Sequence, residues 1–277
     1  MIKAKRTKSS VIAKALGPAA EDFGEKIKPL GGEIGLLSVR AVRILLKPLS
    51  GLIWGFEKIE QWVAETVGPK IERIPEQSRQ EPSLVIAVPT IESMRYCGNE
   101  SHLRDMFATL LATAMDARVA FKAHPAFVDI IKQLSSDEAR ILAHIGRRFS
   151  EIYPIIEIYR TWPAVDGKGK STQRSTRVFG PYSSVGFYAG CTHMKGMPTM
   201  ISNLSRLGII KVEFPHKIAS QVLSDLLDDP IISGICKDIE VGVPGFRSGH
   251  QTGYFEITPF GEDFLDACVR HSVSPER

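Results

Sequence analysis

LRDMFATLLATAMDARVAFKAHPAFVDIIKQLSSDEARIL, residues 103–142, is the stretch whose reading decides the fold of this 277-residue chain. Leu103, Met106, Phe107, Leu110, Leu111, Ala114 and Met115 recur at helical spacing, so they share one face of an amphipathic helix. The pattern breaks at His124 and Pro125, then Phe127, Ile130, Ile131 and Leu134 repeat it, which predicts a second helix packed on the first or on a neighbour. Ser135 followed three residues later by Glu138 has the form of a capping box and places a further helix start there.

On the N-terminal side, Leu49, Leu52, Ile53, Phe56, Ile59, Val63 and Val67 define the buried face of another helix. Ile34 to Lys47 is a greasy helix bearing Arg40, Arg43 and Lys47 on one side, and Pro48 stops it. Gly68 to Ser83, with Pro69, Pro75 and Pro82 among many charges, reads as a linker or an extended connection. On the C-terminal side, residues 161–177 read as an exposed loop insertion, polar and Gly- and Lys-rich from Asp166 to Arg177. MPTMISNLSRLGIIKVEF, residues 197–214, predicts a helix to Leu207, a Gly208 cap and a strand from Ile209 to Phe214. GYFEITPFGEDFLDACV, residues 253–269, predicts a strand and a closing helix. The helix, strand, strand, helix order resembles a winged helix.

The expected fold is therefore mainly α, with an N-terminal multi-helix region followed by a C-terminal winged-helix-like α+β region. It divides into a basic arm (1–15), a helical domain (16–134) and a winged-helix-like domain (135–277).

LRDMFATLLATAMDARVAFKAHPAFVDIIKQLSSDEARIL, preceded by SGLIWGFEKIEQW (residues 50–62), resembles the Abi-alpha family of bacterial abortive-infection, anti-phage defence proteins. The resemblance runs from about Leu16 to Phe264, leaving out the arm before Ser10 and residues 161–177. It implies a defence setting but no defined chemistry. The expectation is a non-enzymatic sensor or interaction module that recognises a phage component, a partner defence protein or an anionic surface, lipid or nucleic acid; a winged-helix DNA-binding regulator and an enzyme with an unrecognised site are the alternatives.

Composition bounds these readings. A hydrophobic share of 43% suffices for a substantial core, and the length allows one or two domains. Residues 1–50 carry ten Lys and Arg against four Asp and Glu, an excess of +6 in a chain whose formal net charge is +4. Lys3, Lys5, Arg6 and Lys8 on the arm, with the Arg40, Arg43 and Lys47 stripe, are candidates for binding an anionic surface, and a merely solubilising tail is the competing reading. No apolar signal-peptide core follows the basic N-terminus, no run is long enough to cross a bilayer, and Cys97, Cys191, Cys236 and Cys268 are widely separated. A cytoplasmic protein, peripheral at a membrane at most, is expected.

Asn203 and Arg206 stand on the candidate recognition helix, where such residues reach base edges. Against DNA readout, the segment between the two strands carries Asp225, Asp228 and Asp229, which repel phosphate, so a packing or protein-interaction role competes. Cys191 and His193 form a C-x-H pair that His216 or Cys236 would have to complete; the spacing matches no standard zinc motif, and neither metal nor cofactor is expected. His124 beside Asp129 or Asp116 is the one arrangement suggesting a general base, and a helix-start residue is the simpler account. Trp54 and Trp62 lie about 80° apart on a helical wheel, off the Leu49, Ile53 and Phe56 face. They are expected within the protein or between subunits of a homo-oligomer, with lipid contact as the alternative.

Overall fold

The computed structural model of the chain describes residues 62–94, 97, 100–147 and 152–270. The Lys3, Lys5, Arg6 and Lys8 arm, the Arg40, Arg43 and Lys47 stripe and Trp54 lie outside them.

The 103–142 stretch forms the centre of the molecule. Helix α3 (Ser101–Ala114) buries every residue from Met106 to Ala114, with Phe107, Leu110 and Leu111 completely enclosed. A helix buried on all sides needs neighbours all round. These are α1 (Gly68–Glu72) with the π-helical turn before it (Val63–Val67), α2 (Leu84–Met94), α4 (Ala126–Lys132), α5 (Ser136–Ile145) and, most extensively, the C-terminal π-helical turn Asp266–Arg270. The predicted break at His124 and Pro125 is real: Pro125 is the N-cap of α4, whose buried residues are Phe127, Val128, Ile130 and Ile131. At α5 both halves of the capping box form, Ser135 Oγ accepting from Glu138 N and Glu138 Oε2 accepting from Ser135 N.

Residues 68–83 are more ordered than a linker. Ile71 and Ile74 are buried, Arg79 Nε donates to Ile74 O, and Gln80 N donates to Met115 O beside an Arg79–Asp116 bridge. The prolines start or end short pieces here; Pro69, for example, sits in the first turn of α1, where its missing N–H costs nothing.

The second half is built on a four-stranded antiparallel sheet of order β2-β1-β4-β3. Its strands are β1 (Ile152–Val165), β2 (Ser171–Tyr182), β3 (Ile210–Glu213) and β4 (Arg247–Ile257). The expected loop at 161–177 is instead the outer part of the β1–β2 hairpin. Its residues are almost all exposed, so neither strand shows there the apolar alternation by which a half-buried strand is recognised. Near the core, β1 slips register against β2 between Ile156 and Tyr159. Gly180 faces this irregularity at φ +117°, and a Cβ on it would lie 2.8 Å from both Glu157 Cα and Ile156 O.

After β2 come a short helix α6 (Val185–Tyr188), α7 (Met197–Arg206), which ends at Gly208 with φ +76°, and then β3, as expected. Two helices, α8 (Ser220–Leu227) and α9 (Pro230–Gly242), intervene before β4, where a winged helix keeps a short wing. Asp229 caps α9 at Ile231 N and accepts the hydroxyl of the enclosed Tyr182, tying that helix to the end of β2. The closing helix α10 (Pro259–Leu265) continues as a π-helical turn (Asp266–Arg270) and returns to the first half. There Ala267 O accepts from Thr113 Oγ1 of α3, Asp266 pairs with Lys122, and Phe264 meets Phe127 edge-on at 5.3 Å. One hydrophobic core thus runs without interruption across Leu134.

Candidate functional site

The feature that leaves the core is the outer β1–β2 hairpin. Strand β4 begins at Arg247, opposite Thr161, so beyond Thr161 only β2 accompanies β1. Trp162 to Val165 and Ser171 to Arg174 form a free two-stranded ribbon, closed by a turn in which Asp166 Oδ1 accepts the backbone N–H groups of Lys168 and Lys170 at 2.9 and 2.8 Å. Five cations lie between residues 157 and 177, Arg160, Lys168, Lys170, Arg174 and Arg177, and Arg247 stands beside them on β4. The same span holds two carboxylates, Glu157 and Asp166. Asp166 is engaged in the turn. Glu157 is buried and accepts both from Arg177 Nη1 at 2.5 Å and from the Tyr159 hydroxyl at 2.7 Å. The bond to Glu157 is the main reason that the Tyr159 phenol and the Arg177 guanidinium both titrate above their ordinary values. The base of the ribbon is braced by Phe246, with the Arg160 guanidinium 4.8 Å over its ring and Trp162 meeting it edge-on at 5.7 Å.

The second arrangement clasps the sheet half to the helical half. Asp137, in the first turn of α5, accepts backbone N–H bonds from Thr192 at 3.0 Å and His193 at 2.9 Å, and a bond from Arg140 at 2.5 Å. Burial alone would raise this carboxyl, but the two backbone donors and Arg140 together hold it below its usual range. Cys191 and His193 thus gather at Asp137, and among the described residues no three His, Cys, Asp or Glu side chains come together as metal ligands would.

Asn203 and Arg206 belong to the same clasp. Asn203 Nδ2 donates to Glu138 Oε1 at 2.8 Å and Gln133 O at 3.1 Å, while Arg206 Nη2 reaches Gln133 Oε1 at 3.0 Å and Asn203 Oδ1 at 2.6 Å. Both residues of the candidate recognition helix are spent on the junction of α4 and α5. His124 serves its own helix, its Nδ1 accepting from Ala126 N, while Asp129 pairs with Lys132 and Asp116 with Arg118. Trp62 is 5% exposed and packs in the core of its own chain, and its indole N–H has no hydrogen-bond partner among the described residues. Burial pushes all four thiols up, Cys191 to about 11, away from the thiolate form that a nucleophile needs. Between α9 and β4 a shallow groove is lined by Cys236, Lys237, Glu240, Ser248 and His250, where Ser248 donates to Glu240 at 2.6 Å.

Residues 55–268, which take in the core helices, the clasp and the ribbon, match the family described as Abortive infection alpha. The chain belongs to that family. The match begins later than the sequence resemblance suggested and includes the hairpin, so the ribbon of this Abortive infection alpha protein lies within the family region. No curated protein matches the chain. One solved structure is similar, that of an uncharacterized protein from the hydrocarbon-degrading marine bacterium Alcanivorax borkumensis SK2. It is 15% identical, covering 52% of this chain and 94% of the other, and at a TM-score of 0.32 it adds nothing to the structural argument.

The cations of the ribbon were missed as a site in the sequence because their segment read as a loop. The available signal was the spacing of Arg174 and Arg177 among Thr, Gln and Ser in STQRSTR, residues 171–177, with Lys168 and Lys170 just before it.

Proposed function

We propose that this protein acts in abortive infection by binding rather than by chemistry, as a sensor or interaction module whose contact surface is the β1–β2 ribbon. The observation that carries this reading is the ribbon itself: residues 171–178 are all exposed and the surrounding cations outnumber the two carboxylates, of which Glu157 is paired with Arg177. An exposed strand pair of this length, polar along its β2 arm from Ser171 to Arg177, contributes little to the core, so its sequence is free to serve a partner. Two further features support binding over catalysis. The buried carboxylates Asp137, Glu138 and Glu157 are tied up in structural bonds, and the thiols are shifted away from reactivity. Membership of the Abortive infection alpha family supports the defence setting.

The test is a phage challenge of bacteria expressing the wild-type chain or the variant Lys168→Gln, Lys170→Gln, Arg174→Gln. Wild-type expression is expected to lower plaque formation, and the variant, present at the same level, to lose most of that protection. Undiminished protection by the variant would remove the ribbon from the defence role, and no protection by the wild type would remove the role itself.

A further inference from the structure

We infer that the β1–β2 ribbon is a site for double-stranded DNA, which it grips through the phosphate backbone with the strand pair directed into the major groove. The inference rests on the reading of the protein as an interaction module and names the partner.

Charge, shape and side-chain chemistry converge on it. The six cations Arg160, Lys168, Lys170, Arg174, Arg177 and Arg247 belong to one strip of sheet and its turn, with Arg160 and Arg174 on one face and Arg177 and Arg247 on the other, and they outnumber its two carboxylates, Asp166 in the turn and Glu157, which is enclosed beneath Arg177 and paired with it. From Lys170 to Arg174, where only two strands run side by side, the chain advances four residues, roughly 13 Å at ~3.3 Å per residue, a reach of about four base pairs. Two strands side by side fit a major groove about 12 Å wide, the mode of the β-ribbon DNA readers.

Between the cations on β2 stand hydroxyl and amide groups on both faces, Thr172, Gln173, Ser175 and Thr176, all able to bond phosphate or base edges. The turn itself, Asp166-Gly-Lys-Gly-Lys170, has no apolar side chain, and the single exposed Val165 beside it is too little apolar surface to anchor the tip in a bilayer, which argues against a membrane as the occupant. A single strand would require aromatic platforms, and Trp162 is engaged edge-on with Phe246. A-form RNA presents a major groove too narrow for side chains to read.

The experiment uses the full chain and a fluorescent DNA duplex of roughly 20 base pairs, a length that spans the ribbon's reach. Binding is followed by anisotropy at salt concentrations between about 50 and 200 mM. The charge-reversed variant Lys168→Glu, Lys170→Glu, Arg174→Glu is expected to bind at least about tenfold more weakly and to lower the salt slope by roughly three, one per phosphate contact. Replacing Lys3, Lys5, Arg6 and Lys8 by Ser is expected to leave most of the binding in place. Should the reversed variant lose its melting transition, the Gln variant of the same three residues takes its place, with a smaller loss of affinity expected.

Unchanged affinity in the folded ribbon variant overturns the inference, as does a loss confined to the N-terminal variant. So does ribbon-dependent binding of phosphatidylserine vesicles without binding of the duplex, which would assign the surface to a membrane. Ribbon-dependent duplex binding together with undiminished phage protection in the ribbon variant would uphold this inference and defeat the proposed function.

Discussion

Replacing Asp137 by Asn tests the clasp that joins the two halves of the molecule. The carboxylate is 5% exposed and receives Thr192 N–H, His193 N–H and Arg140 Nη1. A hydrogen bond to a charged acceptor is worth about 1.5–3 kcal/mol net, and three such bonds meet here, but the amide oxygen of Asn retains part of two. Arg140 is partly solvated and recovers some of its loss in water. The expected cost is therefore about 2–4 kcal/mol, a large share of the ~5–15 kcal/mol by which a domain is stable. Urea unfolding should show a lower midpoint at unchanged slope, and amide exchange should quicken at residues 191–193.

The pH dependence has a definite sign. Because the folded carboxyl titrates below its ordinary value, its contribution is fully present above the unfolded pKa of about 3.9 and is lost as the pH falls through the lower folded value. The wild type should lose its advantage over Asp137→Asn in that acid window and keep it at neutral pH. A neutral-pH difference below about 0.5 kcal/mol, or one that persists unchanged into strong acid, would show that residues 191–193 are held by other contacts and that the reasoning is wrong.

Three further outcomes follow from the same structure. Leu110→Asp places an unpaired charge at a fully enclosed position of α3 and should abolish cooperative unfolding; a native melting curve would contradict the central role of that helix. Asn203→Ala with Arg206→Ala should cost about 1–3 kcal/mol in urea unfolding while leaving duplex affinity unchanged, because both side chains are committed to Gln133 and Glu138; weakened DNA binding at unchanged stability would restore α7 as a reading helix. Iodoacetamide should modify native Cys191 far more slowly than an unfolded thiol at neutral pH, with the rate climbing as the pH approaches about 11, and rapid labelling at pH 7 would refute the burial argument.

The sequence by itself determined the helical centre. Leu103 to Met115 and Phe127 to Leu134 repeat at helical spacing because one face of each segment must be dry, and the Ser135 and Glu138 box is a purely local bond pattern, so neither depends on anything distant. The α7, Gly208 and β3 succession was legible for the same reason, since a left-handed glycine after an amphipathic run ends a helix wherever it occurs. Tertiary structure alone decided what was done with residues whose pattern is silent. From Ser171 to Arg177 strand β2 is polar on both faces and pairs through its backbone, whose hydrogen bonds are blind to side-chain identity, so STQRSTR reads as a loop until β1 lies beside it. Asn203 and Arg206 have the composition of base readers, and only the approach of Gln133 and Glu138, some 70 residues earlier in the chain, turns them into a clasp. The ribbon is read as a site for a similar reason: its cations are ordinary in composition, and they gather because sheet pairing brings Arg247 to Thr161 while the buried Glu157 is spent on Arg177 alone among them.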